Sequence, residues 1–410
     1  MFRYKHSPWL CLYCFKQYNM NKAKSKKSIF SRVNAWLHLW TGIFAGIILV
    51  FVALTGTIVV YGDEIIEWSA GKVRYVEQVQ PERLPVETLI ANVNKAYPKA
   101  KLSEVTVYKD PERTVRFRVF APGKGLAFAY ADPYTGKVLK YDRTANFFYI
   151  MAHLHASLLW HGPGSWIVDI ATIIFLIELI SGIILWWPAK WNKHTRDASF
   201  KIKWKARFKR VNYDLHNVLG FYSSILALTL TVTGLLIAFH PLAESTVKLL
   251  GGDPDHKKWE AALPKADFTR TAIAMNTTLE QEFKRHPGQN AGRIWLYRLD
   301  SAGYFLVNTG TKLGLKSVEN SRLAFIDKYS GEDIHIPAKG LKGEYIENYI
   351  WQLHMGTWMG PVGKLFTFIC GLICTSLPIT GFLIWWHRGR KKKKPVQKKQ
   401  VLQQELSPQI

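Results

Sequence analysis

Four stretches of this chain stay apolar for longer than a soluble core helix requires, and the segments between them alternate or turn. The apolar runs cover 36–61, 166–187, 215–239 and 365–386, each at least 21 residues long. At ~1.5 Å per residue, each spans a hydrocarbon layer of ~30 Å as a helix. The second and fourth end in Trp186-Trp187 and Trp385-Trp386, aromatic pairs of the kind that settle at the membrane–water boundary. The first run is too long and starts too late for a cleaved leader, so it is expected to stay as a membrane helix.

The long polar connections, near 62–165 and 240–364, carry their own patterns. In the first, Leu89, Ile90, Val93 and Ala96 recur at helical spacing. Strand-like stretches follow at 104–108, 114–120 and 126–131, then Asp132-Pro133-Tyr134-Thr135-Gly136-Lys137, a turn with glycine placed for positive φ. The second predicts a helix near 278–284, strands near 293–299, 304–308 and 322–326, and a matching turn from Asp327 to Gly331 and Glu332. Each connection reads as a small α+β domain standing on the membrane.

The two halves repeat. Shifted by 178 residues, Leu37-His38, Gly42 and Thr55-Gly56 fall on Leu215-His216, Gly220 and Thr233-Gly234. Shifted by 199, Leu154-His155, Gly164, Gly182 and Trp186-Trp187 fall on Leu353-His354, Gly363, Gly381 and Trp385-Trp386. Both copies run in the same direction, which makes the repeat parallel rather than inverted.

Charge sets the orientation. The net charge is +25, which by itself would suit a nucleic-acid partner. Its distribution excludes that reading: residues 1–35, 188–213 and 387–410 hold 25 Lys and Arg against Asp197 and Glu405, and the rest is nearly neutral. Each basic segment abuts an apolar run, the pattern of cytoplasmic loops. The Lys391–Lys394 run is then an orientation signal and a contact for anionic lipid. The expected order is a basic tail (1–35), a helix (36–61), an outer domain (62–145), and an interfacial segment with a helix (146–187). A basic loop (188–213), a helix (214–240), a second outer domain (241–344), an interfacial segment with a helix (345–386) and a basic tail (387–410) follow. The fold class is an α-helical integral membrane protein, four transmembrane helices from two parallel repeats plus two small α+β outer domains.

The repeat also selects the candidate chemistry. It pairs His38 with His216 and His155 with His354. An imidazole at membrane depth needs partners for its nitrogens, and axial ligation of haem iron by neutral imidazole supplies one. His38 and His216 begin helices at the cytoplasmic face. His155 and His354 precede Gly162-Pro163-Gly164 and Gly360-Pro361-Val362-Gly363 at the outer face, beside Trp160, Trp351 and Trp358. Depth thus predicts one haem near each face, each held by one histidine from each copy. Gly42, Gly46, Gly56, Gly220 and Gly234 would allow a macrocycle close approach to the backbone, or serve as ordinary small-residue helix contacts. His153, His161 and His240 lack histidine counterparts and stand as secondary candidates. Glu178 lies near the middle of the second run, opposite Leu377 in the other copy, and a carboxylate there is a functional candidate. Cys11 and Cys14 form a CxxC without the following His of c-type haem attachment, and Cys370 and Cys374 read as small packing residues. No Walker loop, dinucleotide glycine motif, Ser-centred nucleophile motif or HExxH occurs.

These motifs, Leu37-His38 through Thr55-Gly56, Leu154-His155 through Trp186-Trp187-Pro188, and their second-copy equivalents, resemble the PepSY-associated transmembrane family, also called iron-regulated membrane proteins. The turns at 132–137 and 327–332 look like the ends of PepSY domains. The resemblance covers about residues 30–390. It implies an inner-membrane protein with periplasmic PepSY-like domains and two b-type haems on His38, His155, His216 and His354. It further implies ferric-siderophore reductase activity, Fe(III) to Fe(II), in iron uptake. Without a flavin or nucleotide motif in these residues, the electron donor is expected to be separate, a quinol or a cytoplasmic reductase. Two other functions fit the same family: a non-redox PepSY module that binds or regulates a periplasmic protein, and an iron or siderophore transporter. The absence of an acidic or polar stripe on the helices argues against the transporter.

Overall fold

A computed structural model describes residues 28–255, 260, 261, 263–297, 299–315 and 317–389. Cys11, Cys14, His256 and the Lys391–Lys394 run lie outside the described residues. Four helices are long and apolar enough to cross a membrane: Ile29–Val60, Pro163–Trp186, Phe208–Ala238 and Thr357–Arg388. The chain is accordingly a membrane protein. We call these TM1 to TM4. Each starts before its apolar run. TM1 starts seven residues before residue 36, where Ser28 caps the helix by accepting from Ser31 N at 3.1 Å. TM3 begins as a helix over Phe208–Asp214 and passes through one π-turn at Leu215–Leu219, which contains His216. The 188–213 loop is partly helical: Lys193–Phe200 is closed by a capping box between Asn192 and Thr195.

Short helices precede TM2 and TM4: α4 (Thr144–Ser157) carries His155, and α11 (Ala338–Met355) carries His354. Each breaks against the start of the next helix. A Cβ on Gly164 would lie 2.0 Å from the Ser157 carbonyl, and one on Gly363 would lie 2.3 Å from that of Gly356. Only glycine permits so close an approach, which accounts for this repeated pair.

The polar connections build strands β1 (Lys101–Tyr108), β2 (Val115–Ala121), β3 (Gly125–Ala131), β4 (Val138–Asp142), β5 (Ala291–Trp295), β6 (Tyr304–Gly310), β7 (Lys312–Leu313), β8 (Val318–Glu319) and β9 (Arg322–Asp327). The sequence suggests two separate domains; the structure joins them. One antiparallel sheet runs β4-β3-β2-β1-β5-β6-β9, and the seam is the β1–β5 pair, with Thr106 opposite Arg293. One apolar core underlies both halves: Val105, Phe117 and Val119 from the first, Ile294, Val307 and Ile326 from the second. Over it lie helices Val86–Ala96 and Met275–Arg285, which cap each other. Asn276 Oδ1 accepts from Val86 N at 2.8 Å, and Glu87 Oε1 accepts from Met275 N at 2.9 Å. Both predicted turns form: Asp132 and Asp327 accept backbone N–H groups two and three residues on, with Gly136 at φ 71° and Gly331 at φ 73°.

The connectivity places the sheet at one end of the bundle and the 187–207 connection at the other. A stalk helix, Gly62–Ala70, continues TM1 towards the sheet. Between sheet and bundle sits the β7–β8 hairpin, a feature of the second copy. Asp63 on the stalk accepts from Leu315 N, Ser317 N and Ser317 Oγ. Glu64 pairs with Lys312 at 2.6 Å and with Lys364 of TM4 at 2.7 Å.

Candidate functional site

Each candidate histidine is held in place by its own copy and meets its counterpart from the other. At the end away from the sheet, His38 of TM1 is held by TM2: its Nδ1 lies 2.9 Å from Ser181 Oγ and 2.9 Å from Glu178 Oε2. His216 of TM3 is held by TM4, its Nδ1 donating to the Leu377 carbonyl at 3.1 Å and lying 3.0 Å from Thr380 Oγ1. The two ring centroids lie 6.3 Å apart, with the planes at 76° to each other. Near the sheet, His155 Nδ1 donates to the Val52 carbonyl of TM1 at 2.8 Å. His354 Nδ1 donates to the Leu230 carbonyl of TM3 at 3.1 Å, with Thr233 Oγ1 also at 3.1 Å. Their centroids are 6.0 Å apart. Ring proximity thus joins His38 with His216 and His155 with His354.

Geometry tests whether such pairs suit a metal between them. A bond of ~2 Å to imidazole nitrogen on each side, plus about 1.1 Å from nitrogen to ring centre, puts the centroids roughly 6 Å apart. Both pairs match. In all four rings Nδ1 is engaged with an acceptor, which fixes the tautomer and leaves Nε2 as the lone-pair nitrogen. Among the described residues no group of three or more His, Cys, Asp or Glu could hold a bare metal ion; the two histidine pairs would suit a metal group that brings further donors of its own.

The glycines take two roles. Gly56, Gly182, Gly234 and Gly381 seat the imidazoles: a Cβ on each would lie 2.8, 3.3, 3.1 and 3.2 Å from Cε1 of His155, His38, His354 and His216 respectively. Gly46 meets Pro378, and Gly220 meets Leu377. Gly42 leaves room for the Glu178 carboxylate.

Along TM1, His38 and Val52 are fourteen residues apart, as are His216 and Leu230 along TM3. That is about 21 Å of helix, so the two pairs are separated by much of the membrane thickness.

The secondary candidates divide. His153 packs on Tyr149 at 4.2 Å and on His161 at 5.4 Å, so these two histidines share a surface beside α4 and join neither pair. His240 is largely exposed and approaches Glu244 at 3.3 Å. It also lines a cleft of about 490 Å³ with Trp295, Asn308, Glu347 and Trp351. Trp351 sits three residues before His354 on α11, so the cleft opens one helical turn from the sheet-side pair. Cys370 and Cys374 are buried against Leu179 and Ala227, in packing roles.

Asn34 and Asn212 were not singled out from sequence. Asn34 Nδ2 donates to the Ser181 carbonyl at 3.2 Å, and Asn212 Nδ2 donates to that of Thr380 at 3.0 Å. They tie TM1 to TM2 and TM3 to TM4 beside His38 and His216. Their spacing is the same 178 residues as the histidines', and Ser181 and Thr380 share the 199-residue offset, so the repeat held the signal.

The model of the PepSY-associated TM region matches residues 35–388, and the chain belongs to that family. No curated protein matches it.

Proposed function

We propose that this member of the PepSY-associated TM family is a b-type di-haem oxidoreductase of the bacterial inner membrane, reducing ferric siderophore at the periplasmic face. The reading rests above all on the two cross-copy histidine pairs, with centroids 6.3 and 6.0 Å apart and every Nδ1 engaged. Haem, when bound, supplies a one-electron couple near each face of the membrane. The chain's own residues fix the four imidazoles, keep the pairs at opposite depths, and shape the surface where substrate arrives. Reduction of Fe(III) to Fe(II) weakens its hold on hard oxygen donors and frees the metal.

Orientation follows from charge. The termini and the 188–213 segment carry nearly all of the net positive charge, which assigns them to the cytoplasm and the sheet to the periplasm. The cleft beside Trp351 is then the approach for a ferric chelate, and the basic face meets a quinol or a reductase. A non-redox module that binds a periplasmic protein would have no use for four imidazoles aligned in this way.

The test has two stages. Purified protein should show a Soret band that sharpens and shifts on reduction. In proteoliposomes reduced beforehand, ferric siderophore added outside should yield Fe(II) to an external chelator. A preparation free of haem after expression with haem supplied, or Fe(II) released only inside, would sink the proposal.

A further inference from the structure

Beside the basic-end histidines the two copies differ at several positions, and one difference places a carboxylate against an imidazole. Where the second copy has Leu219 and Leu377, the first has Thr41 and Glu178. These two polar residues touch: the single Thr41 hydroxyl proton is shared between Glu178 Oε1 and the Leu37 carbonyl, 2.7 Å from Oγ1, while Glu178 Oε2 lies 2.9 Å from His38 Nδ1. Gly42 makes the space, since a Cβ there would lie 3.1 Å from Glu178 Oε2. Ser181 Oγ donates to the Glu178 backbone carbonyl at 3.2 Å, so towards His38 it acts as an acceptor. The His38 N–H is thus shared between a hydroxyl and a carboxylate. The His216 N–H has a carbonyl and a hydroxyl instead, and the sheet-side histidines also lean on carbonyls. One of the four imidazoles therefore has a carboxylate partner.

A carboxylate inside a membrane helix is costly unless it is well partnered. A glycine gap, a threonine donor and an imidazole donor all serve this one. A carboxylate accepting from Nδ1–H raises the electron density at the opposite nitrogen, making the imidazole a stronger donor to whatever it ligates.

We infer that Glu178, positioned by Thr41, tunes His38 so that the site at the basic end holds the more oxidised form more tightly than the site beside the sheet. This rests on the proposed function and adds to it the direction of transfer. A lower potential at the basic end and a higher one beside the sheet make electron flow towards the sheet downhill.

The experiment is a redox titration of purified wild type at fixed pH, followed by the haem absorption bands and resolved into two one-electron components. H38A identifies the basic-end component as the one it removes or converts to high spin. E178Q and E178L, the latter copying the second repeat, should then move that component alone to higher potential. The expected size is about a tenfold rise in its reduced-to-oxidised ratio at a given potential, about 59 mV for one electron. E178D, which keeps the charge, should restore most of the wild-type value. T41V serves where E178Q loses the group, and should shift the same component in the same direction by less.

Unmoved midpoints in the Glu178 variants, equal shifts of both components, or a basic-end component already above the other in wild type would overturn the inference. So would loss of the component in E178Q combined with no shift in T41V. A wild-type protein without haem would instead count against the proposed function itself, so the two failures are distinguishable.

Discussion

In the bundle, the residues that hold the imidazoles recur at fixed offsets, Ser181 with Thr380 and Val52 with Leu230, and so do Asn34 and Asn212, which tie the helices together beside them. In the sheet, the same two copies lie side by side through β1 and β5, and they diverge. The second copy adds the β7–β8 hairpin, which the first copy's stalk grips through Asp63 and Glu64. The positions equivalent to those two acids in the second copy are Pro241 and Leu242, so the grip runs one way. The cleft is also built chiefly from second-copy residues. Symmetry is kept where two histidines, one from each copy, come together. It is released where the molecule must present a particular surface, and inside the bundle at Glu178 and Thr41 among other positions.

The strongest way to break this comparison is to remove one ligand at a time. H38A or H216A should each abolish the basic-end haem or make it high spin, and H155A or H354A should do the same beside the sheet. H194A, on the 193–200 helix, should leave both spectra unchanged. If the paired variants at one end gave different outcomes, with one retaining a low-spin spectrum, the equivalence of the two copies would fail.

A finer version replaces the seats rather than the ligands. Overpacking by a methyl group costs about 1–3 kcal/mol where neighbours cannot yield. The Gly56 seat is tightest at 2.8 Å, Gly234 follows at 3.1 Å, and Gly182 is loosest at 3.3 Å. G56A should therefore lose more haem occupancy than G234A, and G182A should lose least. An order with G182A first would show that the glycines act through helix packing and not through the imidazoles.

The helices were legible because their apolar runs exceed any soluble requirement, and the histidine pairs because two fixed offsets brought His onto His. The joined sheet was not legible: each half has its own alternating strands and its own turn, and nothing local in Lys101–Tyr108 announces Ala291–Trp295 as its edge partner. Such pairing is a matter of long-range register. The hairpin at 312–319 was missed because its strands are two residues each. Glu178 was visible by its depth, but its ties to Thr41 and His38 needed the helices' rotation, which an almost uniformly apolar sequence does not specify. The glycines were recognised with two roles left open, because a gap in a helix face does not say what fills it: Gly46 and Gly220 meet another helix, while Gly56 and Gly234 meet an imidazole.

On the asymmetric side, the grip on the hairpin should matter for stability without touching the haem spectra. Asp63 is buried and accepts three hydrogen bonds. D63A strands two backbone N–H groups, at a cost of roughly 2–3 kcal/mol, and thermal unfolding in detergent should show a Tm several degrees lower. P241A, at the equivalent second-copy position, should move Tm little. Equal losses in both variants would mean that the stalks are interchangeable after all.

The smallest effect comes from Glu64, and its sign depends on pH. Burial alone would raise its pKa, but the hydrogen bonds and charges of Lys312 and Lys364 outweigh that and hold it below the usual 4.5. A carboxyl whose folded pKa is depressed contributes stability above its unfolded pKa, and loses it as pH falls through the folded value. E64Q should therefore have a lower Tm than wild type at neutral pH, by a modest amount because the carboxylate is partly exposed and screened. The gap should persist down to about pH 5 and close below about 4.5, where protonation makes the wild-type side chain as neutral as the variant's. Parallel melts of the two proteins between pH 7 and pH 3.5 read this directly, provided each remains soluble in detergent. A gap that widens on acidification would mean that Lys312 and Lys364 gain from the loss of the charge, and that the hairpin is held by Asp63 alone.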